Sequence, residues 1–442
     1  MRNPFRIVRD FIPAVAFVLL LAACGGGSDS SPTTTQAAVT ADWNAVALQA
    51  WTQLEATAGA PVTPHYEARG LAMTSGVIHD VLNAIDRRYQ PYVYNAVAPD
   101  ASLDAAVAQA AHDVLVADTQ LVSDYPAGSQ KAFLDATLAT DLAKIPEGPT
   151  KVSGIALGKA AAGFYIQLRA ADAPHMAPFG PNPKGQGTVA GAYEYTVPFD
   201  SPGAPFFGGS IAVPDWRNMT PFVVKTTSQF AVPGPYSPTS PEFAAELAEV
   251  TSLGVASGST RTSDQTDLAT FFSENSPLQW NRIAHTVAAA KGLNGWDQAR
   301  MHALLNLSLA DAYIVYAAVG EQYNFWRPVT AIHYTNPAST WQEFGFPTPP
   351  TRDYVSGHSM QGGAAAAVLQ SVFGTDTVTF SATSTAAPGV TRTFASFSQA
   401  ADANALSRIY IGYHFRKSTV DGKALGAKIG QFAASQALAK VP

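Results

Sequence analysis

Between about Ala41 and Ala171 apolar residues recur three and four positions apart in four Ala-rich runs, DWNAVALQAWTQLEAT, ARGLAMTSGVIHDVLNAID, LDAAVAQAAHDVLVADTQL and VSGIALGKAAAGFYIQLRAAD. That period lines one face of an α-helix, and β-branched clusters that would favour strands are few. The region predicts four or five helices packed as a bundle. From about Ala173 to Pro241 the pattern dissolves into APHMAPFGPNPKGQG, FDSPGAPFFGG and VPGPYSPTSPEF, so dense in Pro and Gly that no long helix can pass through. A loop of that length inside a compact domain is expected to wrap or lid the surface, packed by its own aromatics.

Helical periodicity returns in SPEFAAELAEVTSLG, SDQTDLATFFSEN, PLQWNRIAHTVAAAKG, the long WDQARMHALLNLSLADAYIVYAAVGEQYNFW, GGAAAAVLQSVFG, ADANALSRIYIG and KALGAKIGQFAASQALAKV. Ser or Thr near several starts and Gly near several ends supply the caps. Only TDTVTFSATS, near residue 378, suits a strand or loop. The predicted fold class is mainly α, helical bundles in two halves joined by a long Pro/Gly-rich irregular segment. The predicted boundaries are 41–172 for the N-terminal bundle, 173–241 for the irregular segment and 242–442 for the C-terminal helical domain.

The first residues are expected to stand apart from that fold. Arg2, Arg6 and Arg9 precede an apolar run of 13 residues, Phe11 to Ala23, shorter than the roughly 20 that cross a bilayer. This reads as an export signal over 1–23. It ends in Leu21-Ala22-Ala23-Cys24, which resembles a bacterial lipobox with Cys24, the only cysteine, as the lipidated residue. A flexible tether over 24–40 would follow, with the protein an exported lipoprotein at the outer membrane, in the periplasm or on the cell surface. Without residues 1–23 the net charge moves from −6 to −8, so nucleic acid is not an expected partner. A lone cysteine forms no disulfide framework, and core packing must carry the stability.

Chemistry concentrates in SGHSMQGG, residues Ser356 to Gly363. A nucleophile elbow centred on Ser359 would need Gly where Gln361 stands and a buried strand where FPTPPTRDYV stands, so a serine hydrolase does not fit. Read from Ser356, the stretch opens an Ala-rich helix whose unpaired N–H groups favour a tetrahedral anion. Ser356 can donate to such an anion, Gly357 lets the backbone approach, and His358 can move a proton. In NFWRPVTAIHY, Pro328 disfavours helix at Arg327, whose guanidinium would sit at a helix terminus as a fork for oxygens. In LSRIYIGYHF, Arg408 and His414 lie about 120° apart on an ideal helix and converge only if it breaks, which Gly412 allows.

These three segments, in this order, resemble the vanadium-dependent haloperoxidases and type 2 phosphatidic-acid phosphatases. The family pattern is Lys-x6-Arg-Pro, then Pro-Ser-Gly-His, then Ser-Arg-x5-His-x3-Asp. The likeness spans roughly Pro277 to Gly430 and is closest to the secreted bacterial haloperoxidase-like branch. It implies a pocket for vanadate or phosphate, with Arg327, Arg408, Ser356 and the Gly357 amide binding oxygens. His414 would ligate vanadium or attack phosphorus, and His358 would be the acid/base group. The substrates implied are hydrogen peroxide with halide, or a phosphate ester.

The departures are as informative. The family lysine, seven residues before Arg327, is Gly320 here, and Arg282, Lys291 and Lys417 are the cations considered in its place. Val355 stands for the family proline, and Ser418 stands where the phosphatase pattern puts an Asp, with Asp421 nearby. Asp311, in the apolar LSLADAYIVY, is expected to be a buried acid supporting the site by holding Arg408 or Arg327. Three readings follow: a haloperoxidase, a phosphatase, and an oxyanion-binding protein impaired by the loss of the lysine.

Overall fold

The computed structural model describes residues 33–57, 64–121, 129–182, 189–200 and 209–442. The expected signal at 1–23 and the lipidation site at Cys24 lie outside the described residues. Helix α1 (Thr33–Thr57) begins inside the stretch expected to be a tether. It is followed by α2 (Pro64–Ile85), α3 (Leu103–Gln120), α4 (Ser129–Ala143) and α5 (Pro149–Leu168). Helix α2 is buried from His65 to Ala84 on all sides, and among its polar residues Arg69 is held by Asp118 and Asp172.

Between α5 and α6 (Pro241–Leu253) the described residues hold two 3-10 turns and one minimal antiparallel pair, β1 (Phe179–Gly180) with β2 (Ile211–Ala212). The aromatics of this segment reach into the helices: Trp216 is buried and meets Tyr66 edge-on at 5.2 Å. The second helical region runs through α7 (Ser263–Phe271), α8 (Ser276–Lys291), α9 (Gly295–Tyr323) and α10 (Pro328–Thr335) to α11 (Gly357–Phe373). The hairpin β3 (Phe380–Thr383) and β4 (Thr391–Phe394) falls where the strand-like stretch was expected, and α12 (Phe397–Tyr410) and α13 (Arg416–Gln436) end the fold.

Helix α9 belongs to both halves, packing on α1 and α2 on one side and on α11 and α13 on the other. It is long and apolar enough to cross a membrane, but its apolar window is buried inside the protein, so its hydrophobicity serves the core. Thr33–Pro442 accordingly packs as one compact unit.

Helices α11 and α13 meet backbone to backbone. A Cβ on Gly426 would lie 1.9 Å from the Met360 carbonyl oxygen, and one on Gly363 2.1 Å from that of Lys423. The contact also sets the start of α11, because the Ser356 amide donates to the Ser418 carbonyl at 3.1 Å. Gly426→Ala should therefore push the helices apart and cost about 2 kcal/mol or more. Denaturant unfolding checks this, and a midpoint equal to the parent's would contradict the packing described.

Candidate anion-binding site

The site forms where three chain segments end or begin a helix. Pro328 opens α10, so Arg327 becomes its N-cap in extended conformation, as the Arg-Pro order requires. The Arg327 side chain is 1% exposed. Its Nε donates to the Thr351 carbonyl at 2.6 Å, Nη1 to the Tyr413 carbonyl at 2.8 Å, and Nη2 to the Thr351 hydroxyl. Arg408, in the last turn of α12, is equally buried and donates to the Ser407 hydroxyl at 3.0 Å and the Phe272 carbonyl at 2.7 Å. Burial pushes its pKa down to about 10.

After Tyr410 the helix breaks, and Gly412 adopts φ 90° against the Gly254 carbonyl and Glu343, where a side chain has no room. The break swings His414 back to Arg327, whose Nη1 lies 2.9 Å from His414 Nε2. The same Nη1 lies 3.2 Å from Nδ1, but Nδ1 also faces the Asp353 carboxyl, so Nδ1 carries the proton and Nε2 the lone pair that accepts from Arg327. Nδ1 donates to Asp353 Oδ1 at 2.9 Å. Ser418 steadies the same corner through its bond to the Asp353 carbonyl at 2.7 Å. Burial, then the charges of Arg327 and Arg408, hold His414 well below the ordinary imidazole range, so it is neutral. Burial raises the Asp353 carboxyl, and Arg327 opposes that rise.

Ser356 is the N-cap of α11 and accepts from the Ser359 amide at 3.4 Å and hydroxyl at 3.0 Å, which leaves its own proton to donate. Gly357 follows at the first helical position, and the rings of Tyr316 and Tyr313 would lie 3.5 and 3.6 Å from a Cβ there. The Nε2 of His358 donates to the Glu274 carbonyl at 3.3 Å, leaving Nδ1 as a base. Burial, then Arg408, keep that imidazole neutral, and Arg327 adds to the effect. The structure thus brings Arg327 against His414, with Arg408 and His358 in mutual electrostatic reach, while Ser356 is tied to Ser418 beside His414 and opens the helix that carries Gly357 and His358.

Among the described residues neither Arg327 nor Arg408 has an ion pair, whereas buried Arg69 is bound by Asp118 and Asp172. Two desolvated cations, a hydroxyl proton and first-turn amides form a donor set that fits a tetrahedral oxyanion, beside one imidazole lone pair that Arg327 Nη1 contacts in this structure.

Two expectations are corrected. Asp311 is fully buried but holds neither Arg327 nor Arg408; it accepts from the backbone amides of Phe222, Val223 and Val224 at 2.5, 2.8 and 2.8 Å. Its task is to pin the irregular segment to α9, and burial lifts it to about 6. The cations considered in place of a lysine at position 320 are engaged elsewhere or exposed: Arg282 pairs with Glu274 at 2.5 Å, Lys417 with Asp421 at 2.9 Å, and Lys291 lies at the exposed end of α8. Sequence reasoning missed Asp353 and Thr351, although both sit in TRDYVSGH, immediately before the helix start. The acid beside His414 comes from that segment and not from position 418.

Behind Gly357, His65 packs against Tyr313 with ring centroids 4.1 Å apart, and neither ring nitrogen has a partner among the described residues. Burial pushes its pKa down to about 3, against about 6.5 in an unfolded chain. Between those values the unfolded state binds the extra proton, so His65 makes stability fall as pH drops through that window. Replacing His65→Phe should remove about 1.4 kcal/mol per pH unit from the slope of unfolding free energy between pH 6 and pH 4. An unchanged slope in denaturant titrations would show that His65 is not held neutral.

Residues 300–441 match the family model described as the VCPO second helical-bundle domain. Among solved structures, the first bacterial vanadium-dependent iodoperoxidase is similar with TM-score 0.73 and 22% identity, over 94% of this chain and 99% of that one. The apo-type bacterial vanadium-dependent chloroperoxidase is similar with TM-score 0.67 and 14% identity, over 88% of this chain and 96% of that one. No curated protein sequence matches. Residues 300–441 thus resemble this helical-bundle domain, and the fold of the chain is similar to that of the solved bacterial vanadium haloperoxidases.

Proposed function

We propose that the protein is a haloperoxidase-like oxidoreductase that binds vanadate and oxidises halide with hydrogen peroxide. The observation that carries this is a pair of buried guanidinium groups without ion pairs among the described residues, one touching and both acting on a neutral imidazole whose Nδ1 proton is held by Asp353. Bound vanadate would supply the electrophilic centre at which peroxide is activated. Arg327 and Arg408 would neutralise its oxygens, while the Ser356 hydroxyl and Gly357 amide orient them. His414 would offer Nε2 as the ligand, its ring held by the Nδ1–H bond to Asp353. His358, neutral with a free Nδ1, would take a proton from incoming peroxide and return it to the departing oxygen. The balance is peroxide, halide and one proton giving hypohalous acid and water.

One observation favours a second reading. A carboxylate on His414 Nδ1 also suits a nucleophile that attacks phosphorus, and Asp353 supplies it although position 418 is Ser. A phosphatase acting on phosphate esters therefore stands as the alternative, and an oxyanion-binding protein without turnover as the third. Export and anchoring at Cys24 rest on the sequence pattern of residues 1–24 and remain part of the proposal.

The test is to assay the purified protein for iodide and bromide oxidation with vanadate and peroxide, and for phosphate-ester hydrolysis without them. Halide oxidation should appear only with vanadate and vanish in His414→Ala, while Asp353→Asn should lower it about 10- to 100-fold. No oxidation at any vanadate concentration, with hydrolysis that disappears in His414→Ala, would replace the first reading by the second. Absence of both turnovers, with vanadate still bound, would leave the third.

A further inference from the structure

We propose that Arg352 is a third cation of the anion pocket, closing together with Tyr193 the side on which Gly320 carries no side chain. This rests on the reading of the pocket as an oxyanion site. The stem of Arg352 lies along the bare surface of Gly320, where a Cβ would meet its Cδ at 3.7 Å. Arg352 stands between Thr351, which holds Arg327, and Asp353, which holds His414, so it springs from the pocket wall itself. It is buried, and among the described residues it has no ion pair. The carboxylate whose field it feels most, Glu321, is engaged by Arg217 at 2.6 Å.

Two neutral amides position the guanidinium without discharging it. Nε donates to Asn324 Oδ1 at 2.9 Å and Nη2 to Asn182 Oδ1 at 2.5 Å, while Nη1 makes no hydrogen bond among the described residues. Asn324 also fixes Tyr193, whose amide donates to its carbonyl at 2.8 Å. The Tyr193 hydroxyl is fully buried without a partner among the described residues, and the charges of both Arg327 and Arg352 act on it. An orphaned donor lying in the fields of two unpaired arginines has the chemistry of a pocket wall, where an oxyanion would satisfy all three. Tyr316, which interacts electrostatically with Arg352, also borders Gly357, whose Cβ position lies 3.5 Å from the Tyr316 ring.

The competing role is a strut joining Asn182 to Asn324 with no part in binding. Calorimetric titration of the purified full chain with orthovanadate, and separately with inorganic phosphate, distinguishes them. Arg352→Gln should weaken orthovanadate binding about tenfold to a hundredfold. Arg352→Lys, which keeps the charge and loses the fork, should stay within about threefold of wild type. The double variant Gly320→Lys with Arg352→Gln should recover most of the lost affinity, because a lysine grown from position 320 returns a cation to that flank. Binding by Arg352→Gln equal to wild type, or a double variant no better than Arg352→Gln, would overturn the assignment of Arg352 while leaving the pocket intact. A wild-type chain that binds neither anion would overturn the pocket reading and this assignment with it.

Discussion

Two guanidinium groups buried without carboxylates are the constraint around which this half of the molecule is arranged. Taking an unpaired ion out of water costs several kcal/mol even after the surroundings relax. At Arg69 the fold avoids that cost by pairing with Asp118 and Asp172. At Arg327 and Arg408 it uses backbone carbonyls and hydroxyls, from Thr351, Tyr413, Phe272 and Ser407. Those dipoles hold each fork at fixed geometry and leave its charge uncompensated. The electrostatic work of burying these cations is thus done during folding, with Arg327 Nη1 resting on the Nε2 lone pair of His414.

The neutral histidines follow from the same field. His358 and His414 lie among cations in a dry interior, and both effects disfavour a further proton. Each therefore keeps a lone pair at neutral pH. Which lone pair is decided by the partners on the other nitrogen, the Asp353 carboxylate and the Glu274 carbonyl. The scaffold keeps these parts in register through close backbone contact. Gly363 and Gly426 let α11 and α13 touch, the Ser356 amide is tied to Ser418, and Asp311 clamps the irregular segment onto α9 so that Trp216 reaches the His65 cluster.

Much of this was legible in the chain because it is encoded locally. Helix periods, the Ser356 cap, the break at Gly412 and the conformation forced on Arg327 by Pro328 are all short-range rules, and the described structure follows them. What stayed hidden depends on residues distant in sequence. Asp353 has no local mark that ties it to His414, and Asp311 gave only its burial, because backbone amides of a Pro-rich segment are invisible as partners in a sequence. Arg352 likewise carries no local mark of its place beside Gly320. The start of α1 at Thr33 escaped because Thr and Ser composition read as tether, while the helix propagates backward from a segment anchored by the buried Trp43.

The most direct measurement is a crystal structure of the protein grown with orthovanadate. Density is expected for one tetrahedral or trigonal-bipyramidal anion bounded by Arg327, Arg408, the Ser356 hydroxyl and the Gly357 amide, with vanadium at bonding distance from His414 Nε2. A structure in which that pocket holds only water at saturating orthovanadate, with both guanidinium groups unchanged, would contradict it.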